Sequence, residues 1–244
     1  MDKGQYDVLI IGGGISGTAL LYELAKFTDL SHIGLVEKYD RLADVNSHGR
    51  NNSQTLHCGD IETNYTLDKA VQVKKTAEMV LRYAEKQDNR DRLIYKFPKM
   101  VLGVGRHECD FLRDRFREFG PHFPNMQIME SSDIADVEPT VADGRKDEIM
   151  ALGMLDEYTA VNYGALANSF VEQARLITDK TIDLLMETHV ADIVKDDNGY
   201  IVKTSKGEMK AKFVVVSAGG HSLLFAHRMG FCLGYSCLPM AGSW

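Results

Sequence analysis

Apolar residues follow two rhythms along this chain: short unbroken runs, and longer stretches with apolar positions three or four apart. The run at 8–11, Val-Leu-Ile-Ile, is unbroken and leads into glycine, as expected of a strand buried on both faces. From 15 to 27 the spacing turns helical, and a second unbroken run at 33–36 ends in Glu37. Strand, glycine turn, helix and strand in that order predict an α/β fold with a parallel sheet. Residues 38–66 are mostly polar and small, too long a stretch for an idle connection. A helix is predicted over 68–87, with Ala70, Val73, Ala77, Val80, Leu81 and Ala84 on its inward face.

From 93 the rhythm changes. Strands are expected at 93–97 and 100–104, on either side of Pro98, and a charged helix at 109–119. A strand at 125–129, a short helix at 131–138 stopped by Pro139, and a strand at 149–155 follow. Helical spacing returns over 163–178, with Leu166, Phe170, Val171 and Ala174 inward. Short strands at 182–185, 190–194, 200–204 and 208–211 read as an antiparallel meander, with turns at Asp197-Asn198-Gly199 and Lys206-Gly207. The meander feeds the very apolar run 213–216, then Ser217-Ala218-Gly219-Gly220 and a helix over 221–229 capped by Gly230. Residues 231–244 read as a strand beginning after a turn.

The first chemistry lies in the opening turn, Gly12-Gly-Gly14-Ile-Ser-Gly17. Its spacing is that of a pyrophosphate-binding loop: one glycine for the tight turn, one for close approach of the phosphates, one for helix packing on the strand. Unpaired N–H groups at the helix start offer partial positive charge to the anion. Glu37 lies about 20 residues past Gly17, where the pattern puts a carboxylate for a ribose hydroxyl. Composition adds bounds. The chain has 244 residues, 44% hydrophobic and 26% charged, enough for one large or two small domains. A net charge of -7 argues against a general nucleic-acid binder. No run of roughly 18 apolar residues is present, and the first residues lack a signal-peptide pattern. Cys58, Cys109, Cys232 and Cys237 show no C-x-x-C spacing, which predicts no metal site, no disulfide framework and a reduced cytoplasmic setting.

Two features favour a flavin over a nicotinamide dinucleotide. A second glycine turn, at Ala218-Gly219-Gly220, can close over the same cofactor from the other side. The polar stretch 51–60 can reach the flavin end, where nicotinamide enzymes continue with regular βα units. A generic turn at the start of a helix also accounts for Gly219-Gly220. On Gly12-Gly-Gly-Ile-Ser-Gly17, Val36-Glu37-Lys38, Asn51-Asn-Ser-Gln-Thr-Leu-His57-Cys-Gly, Glu62-Thr-Asn-Tyr-Thr66, Phe97-Pro-Lys-Met100, Val161-Asn-Tyr-Gly164 and Lys212-Phe-Val-Val-Val-Ser-Ala-Gly-Gly220, the chain resembles the malate:quinone oxidoreductase family. That family belongs to the D-amino-acid-oxidase-like FAD oxidoreductases. The resemblance covers nearly all of the chain but only the N-terminal half of a family member. It departs at Gln54-Thr-Leu-His57, where many members carry Gly-Thr-Gly-His.

The resemblance implies a Rossmann-type FAD-binding domain at 1–92 and 163–244, the last residues starting a return to the substrate domain. An inserted mixed-sheet α+β substrate domain is expected at 93–162, and the chain is expected to be truncated at its C-terminus. It also implies oxidation of L-malate to oxaloacetate, a tricarboxylic acid cycle step, with electrons passed to a membrane quinone. The setting would be peripheral, at the inner face of the cell membrane. Residues expected at the cofactor are Gly12, Gly14, Ile15, Ser16, Gly17, Glu37, Lys38, Asn52, Ser53, Gln54, Val190, Ala218, Gly219 and Gly220. His57 is the candidate base, since a histidine titrates near neutral pH; a hydrogen bond that orders its loop is the other role it fits. His48 and His221 are weaker candidates. Arg50 is a candidate carboxylate partner or a solvated cation, and Tyr65 and Asn162 are substrate-side or structural. The two-carboxylate clamp is expected beyond Trp244. The same motifs would suit an FAD enzyme acting on another 2-hydroxy acid, such as 2-hydroxyglutarate, or an inactive FAD-binding fragment.

Overall fold

The computed structural model describes residues 4–238. The chain divides into two compact units, residues 1–53 with 163–244, and residues 54–162.

In the first unit, strand β1 (Tyr6–Ile11) leads into helix α1 (Ile15–Phe27) and strand β2 (His32–Val36). The second unit holds α2 (Leu67–Ala84), β3 (Ile94–Lys96), β4 (Lys99–Val104), α3 (Gly105–Phe119), β5 (Met126–Met129), α4 (Ser131–Val137), α5 (Pro139–Ala142), β6 (Ile149–Met154) and β7 (Tyr158–Val161). The first unit resumes with α6 (Tyr163–Arg175), β8 (Thr181–Leu185), β9 (Val190–Asp196), β10 (Gly199–Thr204), β11 (Gly207–Val216) and α7 (Ser222–Arg228).

The first unit is built on one sheet of order β8-β2-β1-β11-β10-β9. β8, β2, β1 and β11 run parallel, and β11, β10 and β9 run antiparallel. Side chains alternate between faces. Val8, Ile10, Ile33 and Leu35 pack under Leu21 and Ala25 of α1 and Val171 and Ala174 of α6. Leu9, Ile11 and Val36 join Val190, Ile193 and Val202 on the other face, with Phe225 and Met229 against them. Both faces of β1 are therefore covered, which is why its sequence is an unbroken apolar run.

Three expectations change here. The run at 182–185 is not part of the meander: β8 pairs parallel with β2 at the sheet edge, from His32↔Thr181 to Val36↔Leu185. Runs 208–211 and 213–216 form one long strand, β11. In residues 231–238 no strand forms, and 239–244 lie outside the described residues.

The second unit contains a sheet of order β4-β6-β5 and a β3-β7 pair, all antiparallel. β6 is buried at every position because both its faces are covered. One face packs with Cys109, Leu112 and Phe119 of α3, the other with Ile134 of α4. Ala70 of α2 is fully buried in the α3 core, so α2 belongs to this unit and the boundary expected at 92/93 falls inside it. α3 begins at Gly105, ahead of the expected 109, because the Glu108 carboxylate accepts the Val104 N–H (2.8 Å) and caps a polar first turn. Pro139 ends α4 by starting α5, the position where a missing N–H costs nothing.

Candidate functional site

The parallel register carries β1, β11 and β2 to the same carboxyl edge: Ile11 lies opposite both Val216 and Val36. Gly12, Glu37 and Ser217 therefore leave the sheet side by side. The Gly12 N–H donates to Val36 O (2.8 Å), and the Ser217 N–H to Ile11 O (2.7 Å). Ligands of open α/β sheets bind at such an edge.

The three glycines answer to different demands. Gly12 has φ +114, and a Cβ there would strike the Ser217 carbonyl. A Cβ at Gly17 would fall on the Gly12 carbonyl oxygen. Gly14 is different: φ -73 and ψ 178 suit any residue, and a Cβ would meet only Ser47 Oγ at an ordinary 3.4 Å. Nothing in the protein itself requires glycine at 14. Gly14 itself offers the helix it opens no side-chain cap, and the first turn holds no acidic residue. Such a helix start keeps its partial positive charge for an anion.

Glu37 is fixed by two main-chain donors. Its Oε2 accepts the Gly13 N–H (2.7 Å) and its Oε1 the Tyr39 N–H (3.0 Å). Each oxygen keeps a further lone pair. Lys38 is exposed, its ammonium 4.7 Å from the centre of the Tyr39 ring. The Ile15 N–H, expected at a phosphate, donates to Ser47 Oγ (3.0 Å). Ser47, 6% exposed, was not foreseen, because one serine in a polar stretch carries no pattern. Asn52 Nδ2 donates to the Asn46 (2.7 Å) and His48 (3.1 Å) carbonyls, so its amide folds the 46–52 loop. Ser53 is exposed. Val190 is 7% exposed, its side chain within the core of the first unit. Ala218 donates its N–H to Ser222 Oγ (3.0 Å). Gly219 has φ +58, and a Cβ on it would crowd the Asn46 amide at 2.7 Å; nothing lies within 4 Å of one on Gly220.

Gln54 and His57 belong to the second unit. Gln54 has φ +52, in the left-handed region, where the glycine of the resembled family is free of strain. His57 is exposed, and its Nδ1 lies 2.8 Å from Glu62 Oε1. Beneath that pair is a buried polar cluster. Asp60, 0% exposed, pairs with Lys99 Nζ (2.7 Å). Arg115 donates to the main-chain oxygens of Glu62 (2.5 Å) and Tyr65 (3.2 Å), and burial pulls its guanidinium below the usual arginine range. Burial pushes the neighbouring Cys58 thiol up to about 12. These partners come from α3 and β4, distant in sequence from the 57–65 loop, which is why the motif did not reveal them.

Of the weaker candidates, His48 Nδ1 accepts the Arg50 N–H (3.2 Å), and Arg50 and His221 are exposed. Tyr65 packs on the second unit's core, and the Asn162 N–H donates to Leu93 O (2.9 Å). Among the described residues no group of three or more His, Cys, Asp or Glu side chains can hold a metal ion.

Residues 4–244 match the model of the malate:quinone oxidoreductase (Mqo) family. The chain belongs to this family. A probable malate:quinone oxidoreductase of Campylobacter jejuni is 42% identical, over 100% of this chain and 56% of that protein. The malate:quinone oxidoreductase of Helicobacter pylori is 35% identical, over 98% of this chain and 54% of that protein. The chain thus spans about half the length of the curated malate:quinone oxidoreductases it matches. Among solved structures it resembles glycine oxidase from Geobacillus kaustophilus, with TM-score 0.71 and 22% identity over 93% of this chain and 58% of that one. It also resembles L-α-glycerophosphate oxidase from Mycoplasma pneumoniae, solved with FAD bound, with TM-score 0.67 and 24% identity over 92% and 56%. These likenesses establish that the malate:quinone oxidoreductase family member shares their fold.

Proposed function

We propose that the full-length protein holds FAD at the carboxyl edge of the first unit's sheet and oxidises L-malate to oxaloacetate, its electrons passing to a membrane quinone. The observation that carries the cofactor is Gly14, a glycine that neither backbone nor neighbours require, at the head of a helix whose first turn holds no acidic residue. A bound pyrophosphate supplies the missing reason. The substrate and acceptor follow from the names of the relatives.

The protein's own part is binding, orientation and proton transfer. The N–H groups of the first turn of α1 that follow Ile15, whose own goes to Ser47, hold the pyrophosphate, and the remaining lone pairs of Glu37 accept the ribose hydroxyls. Lys38, Asn52, Ser53 and the 218–220 turn complete the cofactor's surroundings within the first unit. Bound at this edge, FAD would supply the acceptor for a hydride from C2 of malate. His57 takes the C2 hydroxyl proton as the carbonyl forms. No helix among the described residues is long and apolar enough to cross a membrane. Contact with the quinone is therefore proposed to be peripheral, at the inner face of the cell membrane.

The test is rapid anaerobic mixing of purified, yellow full-length protein with malate, followed at the flavin absorbance. Malate bleaches the flavin, a soluble quinone analogue restores it, and His57→Gln slows bleaching at least about 100-fold, the scale of a lost general base. A colourless protein, or one bleached by 2-hydroxyglutarate and not by malate, overturns the assignment.

A further inference from the structure

We infer that Glu62 is the positioning residue of His57: it fixes the proton on Nδ1 and leaves the Nε2 lone pair as the base. This inference rests on the proposed role of His57. The two groups meet at 2.8 Å, between Nδ1 and Glu62 Oε1. Their surroundings differ sharply. The His57 side chain is 59% exposed and that of Glu62 14%. An ionised carboxylate only accepts hydrogen bonds, so a neutral imidazole beside it must carry its hydrogen on Nδ1. The second carboxylate oxygen, Oε2, is shut off from solvent and has no partner among the described residues. His57 is thus the side-chain partner of this carboxylate, through Oε1, which ties the orientation of the ring to Glu62.

The anchor is rigid. Arg115 is 6% exposed on the core face of α3, and its guanidinium lies 3.8 Å from the Phe119 ring centre. It grips the main-chain oxygens of Glu62 and Tyr65 together, at 2.5 Å and 3.2 Å. A loop that would otherwise be free to move is tied at both residues to a packed helix. The hydrogen bonds of Arg115 go to the backbone and leave Glu62 Oε1 to the imidazole. A carboxylate that orients a base in this way acts through it and need not touch substrate.

The test uses full-length holoenzyme labelled with 15N-histidine, read at alkaline pH, where the ring is neutral. His57 is assigned by the signals lost in His57→Gln. The wild type should show a single form, protonated on Nδ1. Glu62→Ala should show a mixture of both tautomers and reduce its flavin about 10- to 100-fold more slowly, with the malate KM within a few-fold of wild type. Should Glu62→Ala fail to fold, Glu62→Leu fills the space without an acceptor and is read the same way. A wild-type ring protonated on Nε2, or a single Nδ1-protonated form surviving in the variant, overturns the inference. If His57→Gln bleaches as fast as wild type, the base assignment falls, while the ring signals still decide what Glu62 does.

Discussion

At Gly14 and Gly17 the same residue type is held by different forces, and the two substitutions should part accordingly. Gly17 is required by the fold, since its Cβ would land on the Gly12 carbonyl. Gly17→Val should destabilise by about 3 kcal/mol or more, the upper end of overpacking. Gly14 is proposed to be required by the ligand alone, its φ of -73 suiting any residue and a Cβ meeting only Ser47 Oγ at 3.4 Å. Gly14→Val should unfold in urea within about 1 kcal/mol of wild type, as a substitution without clash does, yet purify without flavin. A yellow Gly14→Val protein would show that the cofactor does not need this glycine, and one as unstable as Gly17→Val would show that the fold does. The thiols make a second residue-scale case. Cys58 is buried with its ionisation pushed up to about 12, and Cys109 is buried too. Cys232 and Cys237 are exposed. The thiolate is the nucleophile, so iodoacetamide at neutral pH should label 232 and 237 and spare 58 and 109 until the protein unfolds. Mass mapping of the labelled peptides checks this.

Among the elements, Asp7 ties the starts of β1 and β2 to the middle of β11. From β1 its Oδ1 pairs with Lys212 Nζ of β11 at 2.6 Å. Its Oδ2 accepts the Ser31 N–H, the Ser31 hydroxyl and the His32 N–H at the entrance to β2. Lys212 first, then the His32 N–H, hold this carboxyl well below the usual range. The unfolded chain therefore binds the proton more readily than the folded one, and stability rises with pH through that interval. The contribution is complete above the unfolded value of about 3.9 and is lost as pH falls below it. Asp7→Asn should cost about 1–2 kcal/mol at neutral pH, the scale of a charged hydrogen bond partly open to solvent. That difference should shrink below about pH 4, as urea unfolding across pH will show.

This knot was invisible in sequence, as were most pairings between distant elements. Apolar rhythm reveals that a strand exists, as at 182–185, but not that its partner is β2 and not β9. β7 was missed because Tyr-Thr-Ala-Val is short and follows Leu155-Asp-Glu without a turn signal. The glycine turn and the Glu37 carboxylate beside it were legible because the Gly12, Gly14 and Gly17 spacing and a strand ending in Glu37 form a pattern along the chain. Ser47, Glu62 and Arg115 were not, because only folding brings Ser47 to Ile15, Glu62 to His57 and Arg115 to the Glu62 main chain.

For the whole molecule, the interleaving of the first unit's sheet decides how cofactor and stability are linked. β1 and β2 come from residues 1–53, while β8 to β11 come from 163–244, yet the order is β8-β2-β1-β11. Each of the two early strands pairs with a late one: β2 with β8, β1 with β11. The proposed cofactor edge is likewise shared, Gly12 and Glu37 from the first segment and Ser217 to Gly220 from the second. FAD can then bind tightly only when both segments are docked. Binding must stabilise the whole sheet, not the glycine loop alone. At a free FAD concentration 100 times Kd, the gain is about 2.7 kcal/mol, an opening made about 100-fold rarer. Amides of β8 and β11 should exchange with deuterium about as much more slowly on FAD addition as those of β1, wherever exchange proceeds by opening of the unit. Hydrogen exchange of the full-length protein, with and without FAD, measures each strand separately. If the added protection stops at residues 12–17, the two segments open independently, and the sheet is not the cooperative unit that its strand order implies.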